Sequence, residues 1–438
     1  MKHYDVVVAG AGPSGATAAY YLAKQGKSVA FVDRAKFPRE KACGGGLCVH
    51  IEEFDHIINN WDDFLESKCQ RGIVYGPEFL PVDYVSEKPF FYNIRRLQFD
   101  NKLVEYAVAE GATLIEGVAV KDFEVLDDKV VVKLRNGEEL SGEVIIGAGG
   151  SYDLVSKRIR EIENMPMNWR DEDIAMALYF EVDVGREFMD EVYGEERISM
   201  AHIKYDGLDG YGWSFSKDTV LNVGIGCPRN IIKKLKKEKK GWSERKYLLD
   251  YVETLKEQGW FPKHIEVDRK MISGANIPVG MGMSCTVGDR MMVVGDAGGF
   301  VSPLSGEGLY YALDSGRLAA ESLEVLFSEG SFQKQDLMHY HRAWGSKWGD
   351  DLEWFKVGWH LLMFMPNSLI KYAALDEETK EFVTHMFVGS MPASKIKNKV
   401  LALLAKGVLK HDVLSLMAGR SGIAPDLVNQ VNFFMERL

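Results

Sequence analysis

An α/β fold is what this sequence predicts: a parallel sheet flanked by helices, an inserted antiparallel sheet, and a helical C-terminal region. Three observations carry that expectation. A valine-rich run, Tyr4 to Ala9, passes through Gly10-Ala11-Gly12-Pro13-Ser14-Gly15 into an alanine- and leucine-bearing stretch, Ala16 to Gln25, which is the order strand, tight turn, helix. A second unit of strand, glycine-rich turn and helix recurs between Gly288 and Tyr310. Between the two units lie short runs that alternate or stay apolar at strand length: Ala175 to Val184, Arg197 to Tyr205, Gly210 to Ser216 and Val220 to Cys227.

In the first unit each glycine of the G-x-G-x-x-G spacing has a task. Gly10 makes the turn, Gly12 lets backbone approach a pyrophosphate, and Gly15 lets the helix pack closely on the sheet. Pro13 and Ser14 open the helix, whose free N–H groups favour a phosphate. A second strand, Ser28 to Val32, delivers Asp33 where a carboxylate accepts from a ribose diol, with Arg34 beside it as a further nucleotide-binding position. This is a Rossmann-type unit; alone it does not separate FAD from NAD.

In the second unit, a buried Met and Val strand delivers Asp296 to the turn Gly295-Asp296-Ala297-Gly298-Gly299, and the loop Ser302-Pro303-Leu304-Ser305-Gly306-Glu307-Gly308-Leu309 opens another helix from Tyr310. Asp296 is placed to hold the ribityl hydroxyls of a flavin. The N–H groups around Gly306, Gly308 and Leu309 suit the electron-rich N1/O2 edge of a reduced isoalloxazine.

Composition narrows the partners. The 46% hydrophobic content suits a soluble globular protein, and a net charge of −11 argues against a nucleic-acid partner. The five cysteines, Cys43, Cys48, Cys69, Cys227 and Cys285, are odd in number and lack zinc or iron–sulfur spacing, so a reducing compartment and no metal are expected. The chain opens Met1-Lys2-His3-Tyr4 and enters a strand at once, which leaves no room for a signal peptide and predicts a cytoplasmic protein. The apolar stretch Trp354 to Met365 is interrupted by Lys356 and His360, too short for a bilayer core of roughly 30 Å; peripheral contact with the cytoplasmic membrane face is the engagement it allows.

Together the two signatures, over residues 1–330, resemble the FAD-dependent oxidoreductases of the glutathione-reductase-like, aromatic-hydroxylase-type fold. That resemblance implies non-covalent FAD, with Arg96 touching it and Ala119 and Val120 beside the adenine. Within that fold, Pro38-Arg39-Glu40-Lys41-Ala42-Cys43-Gly44-Gly45-Gly46-Leu47 is similar to the corresponding stretch of the geranylgeranyl reductase family, which hydrogenates prenyl chains of archaeal membrane lipids and chlorophylls. The resemblance implies that Cys43, with Gly44, Gly45 and Gly46, lies against the flavin; three glycines in a row let backbone come close to a planar ligand. Tyr211-Gly212-Trp213-Ser214-Phe215 matches that family's Tyr-x-Trp-x-Phe element but continues with Ser216 where proline is usual. Tyr211, Trp213 and Phe215 are thus candidate substrate-binding residues; the same row equally fits half of an apolar sheet face.

Three absences separate neighbouring classes. Hydroxylases of this fold carry an Asp-Gly pair where this sequence reads Gly147-Ala148-Gly149-Gly150-Ser151; the Trp-x-Trp-x-Ile-Pro element of flavin halogenases is missing; and no cysteines are spaced for the cluster of an electron-transfer-flavoprotein quinone oxidoreductase. The remaining classes are a prenyl reductase, a monooxygenase of an aromatic or polyketide substrate, and a flavin electron-transfer protein without lipid chemistry.

The expected organisation is a discontinuous FAD-binding domain (1–70, 95–165, 270–335), a substrate-side sheet domain (71–94, 166–269) and a helical region (336–438). Arg229 to Trp260 reads as one helix whose lysines, Lys233 to Lys240, form a solvated face or meet anionic headgroups. The aromatic residues from Trp344 to Phe364 read mostly as helical core, with a share free to line a tunnel for an isoprenoid tail. For a reductase, hydride goes from reduced FAD to the double bond, Cys43 or Tyr211 delivers the proton, and the faces of Trp213 or Tyr211 steady positive charge on the tertiary carbon. No second G-x-G-x-x-G follows a strand, so electrons come from an external donor, with ferredoxin, NAD(P)H and deazaflavin left open.

Overall fold

The computed structural model describes residues 1–364 and 366–389, with 395, 398 and 399 beyond them; the rest of the expected C-terminal helical region lies outside the described residues. The first strand, Lys2–Ala9, sits at the centre of an eight-stranded sheet. It pairs in parallel with Glu139–Gly147 on one side and Val29–Asp33 on the other. Val6, Val7 and Val8 are fully buried, as expected for a parallel strand covered on both faces. Thr113–Glu116 and Met291–Val293 extend the parallel pairing outward, which sets the second glycine-rich turn at the same sheet end as the first.

The helices that follow these turns, Pro13–Lys24 and Leu309–Glu329, pack against each other. Gly316 allows it: a Cβ there would stand 2.4 Å from the Ser14 carbonyl oxygen. Sequence order thus places two helix N-termini, 296 residues apart in the chain by their first residues Pro13 and Leu309, side by side.

A seven-stranded sheet forms the second layer, in the order Ser273–Pro278, Ile174–Asp183, Val220–Pro228, Tyr211–Ser216, Ile198–Ile203, Arg71–Tyr75, Pro81–Val85. All pairings are antiparallel except Ile198–Ile203 with Arg71–Tyr75. A three-stranded sheet, Gly46–Cys48, Phe91–Ile94 and Leu65–Cys69, joins the two layers.

Two expected boundaries move. Ser273–Pro278 is the edge strand of the large sheet, held by backbone bonds to Ile174–Asp183, although it falls in the 270–335 piece. Phe91–Ile94 pairs with Gly46–Cys48 rather than with the large sheet, although it falls in the 71–94 piece. The helix expected over Arg229 to Trp260 is two, Arg229–Glu238 and Glu244–Glu257. The break has a local cause: Gly241 takes φ 83°, and the Ser243 hydroxyl accepts from the Lys246 N–H at 3.2 Å, an N-cap that starts the second helix.

Lys334–Trp344 continues through a widened turn at Gly345–Gly349 into Asp350–Phe364. Trp344, Trp348, Leu352, Phe355 and Leu362 belong to the main core. The indole N–H groups of Trp344 and Trp348 are satisfied by Thr286 Oγ1 (3.0 Å) and Asp314 Oδ2 (2.9 Å). Among the described residues no helix is long and apolar enough to cross a membrane.

Candidate active site

A cavity of about 1820 Å³ runs from the first glycine turn, between the two sheets, to the helical region. Of the residues singled out in the sequence, Gly10, Gly12, Pro13, Ser14, Asp33, Arg34, Cys43, Gly44, Gly45, Gly46, Arg96, Ala119, Val120, Tyr211, Trp213, Phe215, Asp296, Gly306, Gly308 and Leu309 line it. Gly15 does not. Its Cβ would stand 1.9 Å from the Gly10 carbonyl oxygen, so its role is to close the helix onto the turn.

The first turn fits a dinucleotide. Gly10 (φ 122°) has no room for a Cβ, which would be 2.2 Å from the Ala148 carbonyl, whereas a Cβ on Gly12 would meet only the end of the Arg39 side chain at 3.5 Å. Gly12 caps its helix without a side-chain bond, so the first N–H groups of Pro13–Lys24 are left to a ligand. Asp33 ties the turn, accepting from the Ala11 N–H at 3.0 Å and the Ala35 N–H at 2.8 Å, and still faces the cavity. Asp296 sits where the second turn meets the cavity; burial raises its carboxyl, and Lys41 and Arg96 pull the other way.

Arg96 opens the helix Arg96–Ala109 from inside the protein. Its side chain is 9% exposed and grips fully buried Asp100 with two bonds, 2.6 and 2.7 Å, while Arg39 reaches the same carboxylate at 3.1 Å. Cys43 is half-buried beside this guanidinium, and the Gly45 N–H points at its sulfur at 3.3 Å.

The three glycines after Cys43 do something other than leave an open face. A Cβ on Gly44 would be 2.9 Å from the Phe215 ring, on Gly45 (φ 76°) 2.2 Å from the Ile94 carbonyl, and on Gly46 2.1 Å from the Phe91 ring. They let the loop press onto the aromatic wall. Tyr211, Trp213 and Phe215 share one face of their strand, flanked by small residues at Ala175, Ala177, Ala201 and Gly226. The row is therefore both a sheet face and a cavity wall. Ser216, in place of proline, continues the strand: its hydroxyl accepts from the Ile198 N–H (3.0 Å) and donates to the Ile198 carbonyl (2.8 Å). The Tyr211 hydroxyl donates to the Ser305 carbonyl at 2.7 Å, and burial raises its pKa, so its proton ties the sheet to the second glycine loop.

Two carboxyls on the cavity wall escaped the sequence reading. Asp153 fills the space beside Gly147 and Gly149: it accepts from the Gly149 N–H (2.9 Å) and the Ser156 N–H (2.7 Å), and burial pushes it up to about 6. Its signal was an N-cap three residues ahead of Ser156. Glu307 accepts from the Tyr310 N–H at 2.8 Å and burial pushes it up to about 7. Farther along, Trp359, Met363, Phe387 and Val388 close the cavity on the helical side.

A parallel sheet with two glycine turns converging on one cradle, closed by an aromatic antiparallel sheet, defines a flavin-dependent oxidoreductase. Residues 1–136 match the Thi4 family. A geranylgeranyl diphosphate reductase of Rhodobacter capsulatus is 31% identical over 333 residues, 75% of this chain and 76% of the relative. A menaquinone reductase of Mycobacterium tuberculosis is 29% identical over 333 residues, 73% and 76% of the two chains. A digeranylgeranylglycerophospholipid reductase of Methanocaldococcus jannaschii is 28% identical over 356 residues, 78% and 83%. The fold is shared with a geranylgeranyl bacteriochlorophyll reductase-like protein of Thermoplasma acidophilum, with a TM-score of 0.74 at 22% identity over 88% of this chain and 96% of that one. The chain belongs to the geranylgeranyl reductase family of flavin-dependent oxidoreductases.

Proposed function

We propose that the protein is an FAD-dependent reductase that saturates carbon–carbon double bonds of an isoprenoid chain carried on a lipid or related prenylated substrate. The observation that carries this reading is the continuity of one cavity from the nucleotide cradle, past Cys43, along an aromatic wall to apolar helical residues. A prenyl chain is long, apolar and charge-free, and such a channel keeps it from water.

FAD held in this cradle would supply, when reduced, the hydride for one carbon of the double bond. Gly12, Ser14 and Asp33 would hold the adenosine and pyrophosphate half, with Arg34, Ala119 and Val120 towards its outer end, and Asp296, Gly306, Gly308 and Leu309 would hold the flavin half. Cys43 holds the proton for the other carbon, with Arg96 and the Gly45 N–H beside its sulfur to receive the negative charge left behind. Tyr211 is the weaker donor, because its proton is already given to Ser305. Trp213 and Phe215 present ring faces to the chain and steady positive charge developing on a tertiary carbon.

Electrons enter from an external donor, ferredoxin, NAD(P)H or deazaflavin. The lipid is collected at the cytoplasmic membrane face. The lysine-rich helix Arg229–Glu238 supports that placement, since Ile231 and Lys234 reach the cavity from it, although Lys233 and Lys236 are paired with Asp171 and Glu244.

The test is anaerobic incubation of the yellow protein with dithionite and a geranylgeranylated lipid, followed by mass spectrometry. The expected product gains hydrogen in steps of two, and Asp296→Ala loses both flavin and activity. An unchanged lipid alongside a demonstrably reduced flavin refutes the reading; a gain of one oxygen in air with NAD(P)H replaces it with a monooxygenase.

A further inference from the structure

On the same sheet face as the aromatic row, but not among the residues lining the cavity, lies a buried polar group that neither the cofactor nor the substrate accounts for. Asn222, fully buried on Val220–Pro228, stands opposite Glu181 on one neighbouring strand and Phe215 on the other. Its Oδ1 accepts from the Trp213 indole N–H at 2.8 Å. Its Nδ2 donates to the Cys43 carbonyl at 3.0 Å and to Glu181 Oε1 at 3.0 Å. An indole N–H only donates and a carbonyl only accepts, so the amide has one workable orientation. Glu181 is held in turn by Lys217, which is 1% exposed, and by Arg95 at 3.8 Å.

We propose that Asn222 is the positioning residue that sets Cys43 against Trp213, fixing with one buried amide the register between the cysteine loop and the substrate sheet. Cys43 and Asn222 are 179 residues apart in the chain, and the loop presses so closely on the wall that a Cβ on Gly44 would be 3.3 Å from Trp213 Nε1. Backbone bonding ties the loop from Gly45 onward to Phe91–Ile94, with the Ile94 N–H donating to the Gly45 carbonyl at 2.8 Å, whereas the rings of Trp213 and Phe215 offer it no directional bond. The amide adds a directional link at Cys43 itself, because its donor side and acceptor side bind the two partners at once. The ion pair beside it gives Glu181 one position, so the second N–H of Asn222 has a fixed target and the first is aimed at Cys43. The proposal rests on the reading that Cys43 and Trp213 face the substrate.

The test uses the flavin-loaded protein and its own cysteines. Cys43 is half-buried while Cys48, Cys69, Cys227 and Cys285 are buried, so alkylation by iodoacetamide, followed peptide by peptide, reports the loop with four internal controls. Asn222→Asp keeps the acceptor for Trp213 and turns oxygen towards the Cys43 carbonyl and Glu181. Asn222→Ser removes the tether without adding charge. Both variants are expected to alkylate Cys43 about tenfold faster, the change that goes with losing one buried hydrogen bond, with the four controls and the flavin spectrum unchanged. In turnover, Asn222→Asp lowers kcat at unchanged KM.

A wild-type Cys43 rate in both variants overturns the proposal, and so does equal acceleration at all five cysteines, which reports general loosening. The alkylation result needs no substrate. A failed prenyl-reductase assay therefore strikes the proposed function and leaves the tether to be judged by its own measurement.

Discussion

Replacing Gly224 by alanine adds one methyl group to a strand held on both sides. Gly224 lies on Val220–Pro228, bonded to Ile174–Asp183 and to Tyr211–Ser216, and pairs directly with Trp213. A Cβ there would stand 2.2 Å from Trp213 Cζ2 and 2.6 Å from Cε2 and Cη2. Carbon atoms rest at about 3.5–4.0 Å, so the deficit exceeds an ångström, and paired strands cannot retreat that far. The indole has to swing away. Overpacking of this kind costs about 1–3 kcal/mol. Swinging also breaks the 2.8 Å bond to Asn222 and strands two buried polar atoms, a further ~1–3 kcal/mol. Gly224→Ala is thus expected to destabilise the protein by about 2–6 kcal/mol in chemical denaturation followed by circular dichroism. In a Trp213→Ala background the clash is gone, and the same methyl is expected to cost under ~0.5 kcal/mol, leaving a coupling of about 2 kcal/mol or more. A single-variant cost below ~0.5 kcal/mol, or costs that simply add, would refute the claim that a glycine notch seats the Trp213 ring.

Two further predictions concern buried charge. The folded-state pKa of Glu307 is raised from 4.5 to about 7, so protonation favours the folded form: the stability is fully present below about pH 4.5 and is lost as pH rises towards 7. Glu307→Gln keeps an acceptor for the Tyr310 N–H and does not titrate; it should match the wild type at pH 4.5 and exceed it at pH 8 by at most ~3 kcal/mol, as denaturation at the two pH values will show. Arg96→Met leaves Asp100 with Arg39 alone and should cost about 2–4 kcal/mol in the same assay, with Arg96→Met/Asp100→Leu recovering most of it.

Short-range chemistry made part of this protein legible. Gly10, Gly12 and Gly15, with Asp33 at the end of the next strand, act within one turn and its flanking elements, so their spacing alone made the tight turn and its helix readable. Asp296 and the loop through Gly308 were readable for the same reason, and the period-2 row of Tyr211, Trp213 and Phe215 gave a strand with one aromatic face. Periodicity names a face but not what covers it. That Ser273–Pro278 would close the large sheet, that Gly44 to Gly46 would make room for Phe215, Ile94 and Phe91, and that Asn222 would join Cys43 to Trp213 all depend on segments far apart in the chain. Asp153 and Glu307 were hidden for a related reason: burial raises a carboxyl, and burial exists only once the layers meet. Sequence by itself determined the two glycine turns, their acids and the aromatic strand, because each is decided by neighbours within a few residues. Only the tertiary structure decided which surfaces those elements share, because packing at van der Waals distance is a property of the assembled layers.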